Sequence, residues 1–230
     1  SATLAGLVGG GTPVRPGELS LAHTGVLFLD EIAEFRPSTL QGIRIPIEKG
    51  YVRIVRADGS VVLPSRFMLV AASNPCPCGY FGADSHPCTC TQSQIHSYQN
   101  RIGGPLLDRI DMHVDVWRIP SEEIVQSRRS SMSSASLYEG VRTARAFAQE
   151  RSDWDERHKR SADIVDLVDV CAMDGETQSF LTRMAGSYML SGRGIEKVLM
   201  IARTIADMAQ SHAVQKAHLA EAFSLRVPQR

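Results

Sequence analysis

Residues 25–32 read Gly-Val-Leu-Phe-Leu-Asp-Glu-Ile. Four consecutive apolar residues, bounded by a glycine before and an acid after, have the length of a strand. An uninterrupted run of this kind predicts a strand buried on both faces, as inside a parallel sheet. The run stops at Asp30 and Glu31. Two carboxylates therefore stand at its C-terminal end, where open α/β sheets bind their ligands.

A second run of the same kind lies at residues 67–72 and ends in Ser73-Asn74-Pro75, so that Asn74 follows Glu31 by 43 residues. Between the two runs, Leu40, Ile43 and Ile47 have helical spacing over 37–49, with Ser38 or Thr39 near the cap and Pro46 disturbing the end. Residues 51–55 and 60–63 are β-rich and flank Ala57-Asp58-Gly59, a hairpin signal. Upstream, 6–17 reads as a loop and 18–22 as a short helix. Downstream, 76–91 is irregular and cysteine-rich. Residues 92–110 are helical in two pieces broken at Gly103-Gly104-Pro105, and 112–116 read as a third short strand.

After Pro120 no strand is convincing. Residues 122–160 are polar and mostly helical with a Ser-rich interruption at 130–136, and helical patterns follow at 178–189, 194–210 and 217–225. The expected organisation is an α/β part over 1–120 and an all-helical part over 121–230.

Composition bounds the rest. The apolar fraction is 43% and the formal net charge is zero, so a core is affordable and no bulk charge points to nucleic acid or membrane. No apolar run approaches the ~20 residues of a membrane span. The first residues lack the basic flank of a signal peptide and a starting Met. The expectation is a piece of a longer cytoplasmic protein with reduced thiols.

An apolar strand ending in Asp-Glu has the form of a Walker B element. In that chemistry Asp30 orients Mg²⁺, usually through water because Mg²⁺ keeps much of its hydration shell, and Glu31 polarises or orients the attacking water. The bland alternative is a buried strand that ends in two solvated acids. Asn74, at the end of the second strand, reads as a turn former when taken alone before Pro75. The matching phosphate loop, G-x-x-x-x-G-K-[ST], is absent. Of the 25 basic residues only four are lysines (Lys49, Lys159, Lys197, Lys216), and none follows a glycine or precedes Ser or Thr. The phosphate-binding half is expected before Ser1 in a parent protein.

Cys76-Pro-Cys78 and Cys88-Thr-Cys90 form two C-x-C pairs separated by nine residues. Four thiolates in one turn-rich loop can give a tetrahedral Zn²⁺ site, with His86 as a reserve ligand. A reduced metal-free loop and adventitious disulfides are the alternatives. Cys171 lies apart and reads as core.

The segments GELSLAHTGVLFLDEI (17–32), SRFMLVAASNPCPCGYFG (65–82), GGPLLDRIDMHVDV (103–116) and SGRGIEKVLMIARTIADM (191–208) resemble the magnesium-chelatase-like branch of the AAA+ ATPases, and within it the YifB/ComM family. The resemblance runs through almost the whole chain, weakest over 121–175. It departs at Ile45-Pro46-Ile47, where relatives favour Gln-Pro-Leu. It implies the back half of an AAA+ P-loop core, a parallel sheet with an inserted β-hairpin, followed by an all-helical lid. It implies ATP and Mg²⁺ as ligands, with Asn74 as sensor 1, Arg109 as the arginine finger (Arg101 the rival) and Arg193 as sensor 2. Arg109 stands between Asp108 and Asp111, so a local salt bridge is its other reading. The hairpin resembles one that in related helicases touches the DNA backbone, which makes Arg53 and Arg56 candidate phosphate contacts; a charged, solvated hairpin edge is the equal alternative.

The function implied is the motor of a hexameric, ring-forming DNA helicase of branch migration in natural transformation, inactive as this piece alone for want of the phosphate loop. A magnesium-chelatase motor subunit and a zinc-stabilised assembly module are the alternatives. No membrane partner is implied.

Overall fold

The computed structural model describes residues 3–57, 59–83, 86–116, 119, 124–125, 132–151 and 164–226. The chain divides into two compact units, Ser1–Ile110 and Asp111–Arg230. Together they make a mixed α/β protein with many helices and, among the described residues, one parallel strand pair.

The first unit opens with helix α1 (Leu4–Val8), then the short antiparallel strands β1 (Gly9–Gly10) and β2 (Arg15–Pro16) and helix α2 (Glu18–Leu21). This segment is more regular than the loop expected over 6–17. Leu7 and Leu19 bury completely or nearly so, and their anchoring orders what glycine content alone reads as loop.

Strand β3 (Val26–Leu29) pairs in parallel with β6 (Met68–Ala71), Val26 opposite Met68 and Leu29 opposite Ala71. The expectation of burial on both faces does not hold among the described residues. Leu27 and Leu29 are buried, whereas Val26 and Phe28 are each 59% exposed and Met68 is 64% exposed. Alternate side chains of a strand point to opposite faces. One face meets the core, and nothing among the described residues covers the other.

Helix α3 (Pro37–Lys49) starts with proline at its first turn, where the missing N–H costs nothing. Arg36, rather than Ser38 or Thr39, takes the cap position. Pro46 does not disturb its end. The helix runs through it to Lys49, because Leu40, Ile43 and Pro46 are all buried and hold the turn in place. Gly50 ends it at φ 71°, a left-handed conformation suited to glycine, and donates its N–H to Pro46 O at 2.8 Å.

Strands β4 (Tyr51–Arg56) and β5 (Gly59–Pro64) form the expected antiparallel hairpin, in register from Tyr51 opposite Pro64 to Arg56 opposite Gly59. Asp58 of its turn lies outside the described residues. Val52 and Ile54 turn inward to join Leu27, Leu29, Leu40, Ile43 and Leu106 in one core. Each such buried side chain contributes about 1.5–3 kcal/mol. Helices α4 (Gln92–Gln99) and α5 (Gly104–Leu107) complete the unit and split near Gly103 as expected.

The second unit contains α6 (Ser134–Glu150), α7 (Ile164–Cys171), α8 (Gly175–Ser187), α9 (Gly192–Met208) and α10 (Lys216–Arg226). The expected strand at 112–116 is not formed. His113 donates its backbone N–H to Leu225 O at the end of a helix, and this segment has no ladder partner among the described residues. The expectations at Pro120 and over 152–160 fall outside the described residues. Helix α6 begins at Ser134, inside the expected Ser-rich interruption, because Ser133 and Ser136 form a reciprocal cap. Helix α9 packs on α6, α7 and α10, and Val198, Leu199, Ala202 and Ala206 are fully buried.

Candidate functional site

The parallel pairing of β3 and β6 continues past the strand ends. Ala72 donates its N–H to Leu29 O and Ile32 donates to Ala72 O, both at 2.9 Å. These bonds bring Asp30 and Glu31 beside Ala72, with Ser73 and Asn74 next along the chain. Two segments 43 residues apart thus present their polar ends at one sheet edge. All of Asp30, Glu31 and Asn74 are exposed.

Glu31 has φ 49° and ψ 47° and precedes a 3₁₀ turn over Ile32–Glu34. A non-glycine residue in this left-handed region costs about 1–3 kcal/mol and persists only when its surroundings impose it. The two flanking backbone bonds to Ala72, just past β6, impose it here. Asp30 Oδ1 accepts the Glu31 N–H at 2.9 Å, which fixes the first carboxylate against the backbone. Among the described residues neither carboxylate is in an ion pair.

The candidate arginines divide by environment. Arg109 lies just after α5 and pairs with Glu48 of α3, at 2.7 Å from Nη2 and 3.3 Å from Nε, while Nη1 donates to Pro105 O at 2.7 Å. Its side chain is only 17% exposed. Arg101, just beyond α4, is 45% exposed, pairs with Glu34 at 3.3 Å and lies over the Tyr98 ring. Glu48 and Glu34 were invisible as partners in the sequence, since they stand 61 and 67 residues from their arginines. Arg193 is exposed in the first turn of α9, whose cap is Ser191 accepting from the Gly194 N–H. It belongs to the second unit. On the hairpin, Arg53 and Arg56 are both exposed, and Arg56 Nη2 reaches Gly11 O at 3.4 Å.

The cysteine pairs converge. Cys76 Sγ lies 3.4 Å from Cys78 Sγ and 3.7 Å from Cys88 Sγ, and Cys78 and Cys88 are 3.5 Å apart. With Cys90 the four sulfurs all fall within 4.8 Å of one another. His86 is outside this group and packs on the Tyr80 ring instead. The backbone N–H groups of Tyr80 and Thr89 bring the Cys78 thiol down to about 5. At Cys88 the Cys90 N–H acts in the same direction, but desolvation and the adjoining Cys78 and Cys76 sulfurs outweigh it and push the thiol up to about 12. Desolvation and the same two sulfurs raise Cys90 against the Cys78 N–H. Cys171 is fully buried in the helical unit, and burial pushes its thiol up to about 11.

The arrangement offers two chemistries: an acidic strand end suited to a hydrated divalent cation and a water, and a four-sulfur cage suited to a soft metal. No helix among the described residues is long and apolar enough to cross a membrane.

Comparison with known proteins adds the following. The family model for magnesium chelatase, subunit ChlI, matches residues 1–124, and that for the ChlI C-terminal region matches residues 131–226. The chain is 38% identical over 228 residues to the uncharacterized protein YifB of Escherichia coli (strain K12), covering 98% of this chain and 44% of that protein. It is 38% identical over 226 residues to competence protein ComM of Haemophilus influenzae, covering 98% and 43% respectively. An uncharacterized protein of Mycobacterium bovis is 36% identical over 230 residues, with 98% and 44% covered. The chain spans less than half the length of these relatives.

Proposed function

The chain belongs to the magnesium-chelatase family, in its YifB/ComM group, and from that premise we propose that it is the hydrolysis half and helical lid of an AAA+ ATPase motor that works on DNA as a hexameric ring. One observation carries the proposal. The β3–β6 pairing carries Asp30 and Glu31 alongside Ala72, two residues before Asn74, with Glu31 held in a strained backbone conformation. The name of the ComM relative, a competence protein, supports DNA as the partner.

The residues present fit the metal-and-water end of a nucleotide. Asp30 is the group to hold hydrated Mg²⁺, with one oxygen already committed to the Glu31 N–H and the other without a hydrogen bond among the described residues. Glu31 orients the attacking water, and Asn74 supplies a second hydrogen bond to it. Bound Mg²⁺ neutralises charge on the phosphates. The cradle for those phosphates is not among these 230 residues, since no Gly-Lys-Ser/Thr sequence occurs. The chain by itself is therefore expected to turn over no ATP.

Arg109 is the proposed finger toward a neighbouring subunit. Its Glu48 partner then serves to hold the guanidinium until a phosphate replaces the carboxylate. The more exposed Arg101 is the alternative. Arg193 would act from the lid, and Arg53 and Arg56 would steady the DNA backbone without reading sequence.

The test is a chimaera in which these residues replace the matching segment of Escherichia coli YifB. Glu31→Gln should leave nucleotide binding intact and lower Mg-ATP hydrolysis by about 10²–10⁴-fold. Hydrolysis that survives the substitution, or a chimaera that binds no nucleotide, would overturn the reading. A second reading, a magnesium-chelatase motor subunit, draws on the family description. Stimulation of hydrolysis by porphyrin and not by DNA would favour it.

A further inference from the structure

Between β6 and α4 the described residues of 75–91 form no helix or strand, and Cys76 is the one buried residue among them. A loop of this length with almost no apolar burial has little to offset its conformational entropy. Nevertheless its two ends meet, because residues 12 positions apart bring their sulfurs to 3.7 Å.

The sulfur geometry identifies what closes it. A Zn–S bond of about 2.3 Å in a tetrahedron sets its sulfurs about 3.8 Å apart. The separations here are 3.4, 3.5 and 3.7 Å, and Cys90 stands within 4.8 Å of all three. A disulfide would join sulfurs in pairs at about 2.05 Å and leave no reason for both pairs to converge. Neutral thiols form only weak hydrogen bonds and gain little by clustering. Backbone groups also aim at the cage. Phe81 donates its N–H to Cys76 Sγ at 3.4 Å. Gly79 makes this approach possible: at φ 80° it turns the chain sharply after Cys78, and its own N–H closes onto Cys76 O at 3.0 Å. Such second-layer donors hold metal-bound thiolates in place.

We propose that Cys76, Cys78, Cys88 and Cys90 bind one Zn²⁺ as a closed tetrathiolate site that staples the segment leaving β6 to the segment leading into α4. Four protein ligands leave no position for water or substrate, so the site is structural. It anchors two neighbours. Asn74 precedes the first ligand by two residues, and Thr91, the cap of α4, directly follows the last. Gln99 Nε2 adds a hydrogen bond to Pro75 O at 3.0 Å, so α4 grips the other end of the same loop. The site stands independently of the ATPase reading, because it uses none of that site's groups.

The test begins with the unaltered 230-residue chain, purified under reducing conditions without chelator and analysed for metals. One zinc per chain is expected. Replacement by Co²⁺ should give the thiolate-to-metal charge-transfer and intense visible bands of tetrahedral sulfur coordination. The Cys88→Ser/Cys90→Ser double variant should lose the metal, while Cys171→Ala keeps full stoichiometry. Hydrogen exchange after zinc removal should accelerate over 75–91 and leave α9 unchanged. A metal-free wild-type chain with four freely titratable loop thiols would overturn the proposal. So would loop disulfides in the freshly reduced and purified chain, bound iron, or a Co²⁺ spectrum of octahedral oxygen coordination. These readouts on the unaltered chain decide the matter even if the double variant does not fold.

Discussion

A buried ion network in the helical unit contrasts with exposed charges at the strand ends and rims of the α/β unit. In the helical unit Arg203 is fully buried and donates to His212 O at 2.7 Å and to Ser211 O, while Asp207 stands between it and Arg151, at 3.0 and 2.8 Å. Burial lowers the Arg203 pKa, and the Asp207 charge opposes that shift. These ions are committed to the fold. In the α/β unit, Asp30, Glu31, Arg53 and Arg101 sit exposed at strand ends and rims. They hold little of the fold together, which leaves them available to a ligand. Charge type alone does not separate structural ions from functional ones; desolvation does.

The largest effect expected from this contrast is at Asp207. Asp207→Ala leaves two buried guanidinium groups without their carboxylate and should cost about 3–5 kcal/mol. Denaturant unfolding followed by hydrogen exchange should locate the loss in the second unit. A change below 1 kcal/mol would break the comparison, since it would mean that water solvates these groups after all.

Next comes the α4 cap. Thr91 accepts the Gln94 N–H at 3.3 Å and Gln94 reaches back to the Thr91 N–H at 2.8 Å. Thr91→Ala should cost about 1 kcal/mol. Exchange rates would show the loss confined to the first turn of α4.

Glu31 sharpens the comparison from the other side. Glu31→Gly relieves a left-handed backbone and should raise stability by up to about 1 kcal/mol, measured by thermal unfolding, while abolishing hydrolysis in the YifB chimaera. A gain in stability with a loss of function is what a strained functional residue predicts. A loss of stability would mark Glu31 as structural.

The smallest effect belongs to Arg101. Its pair with Glu34 is close to half exposed on both sides. Arg101→Met should change stability by no more than about 0.5 kcal/mol, the same within error at low and high salt. A cost of several kcal/mol would place this rim pair with the buried network.

Much of the fold was legible in the sequence because local rules governed it. The hairpin at β4–β5, the helix break ahead of Gly104 and the helices of the second unit all follow from turn residues and periodicity. Failures occurred where contacts between distant residues decided the outcome. Residues 112–116 have strand composition but no ladder partner. Pro46 reads as a disturbance until the burial around it holds the turn. The apolar run Val26–Leu29 predicts burial on both faces, yet burial is a property of what lies alongside and not of the run itself.

The candidate residues divide in the same way. The sequence by itself determined the Asp30-Glu31 pair at a strand end, the four cysteines in two pairs, and the absence of a Gly-Lys-Ser/Thr loop, because residue type and short spacing are local facts. Only the tertiary structure decided that Ala72, two residues before Asn74, lies beside Asp30 and Glu31, that Arg109 grips Glu48, that Glu31 is strained, and that four sulfurs gather within 4.8 Å of one another. The β3–β6 ladder and core packing fix the first three across segments tens of residues apart, the turn at Gly79 helps fix the last across 12 positions, and residue type and spacing alone encode none of them.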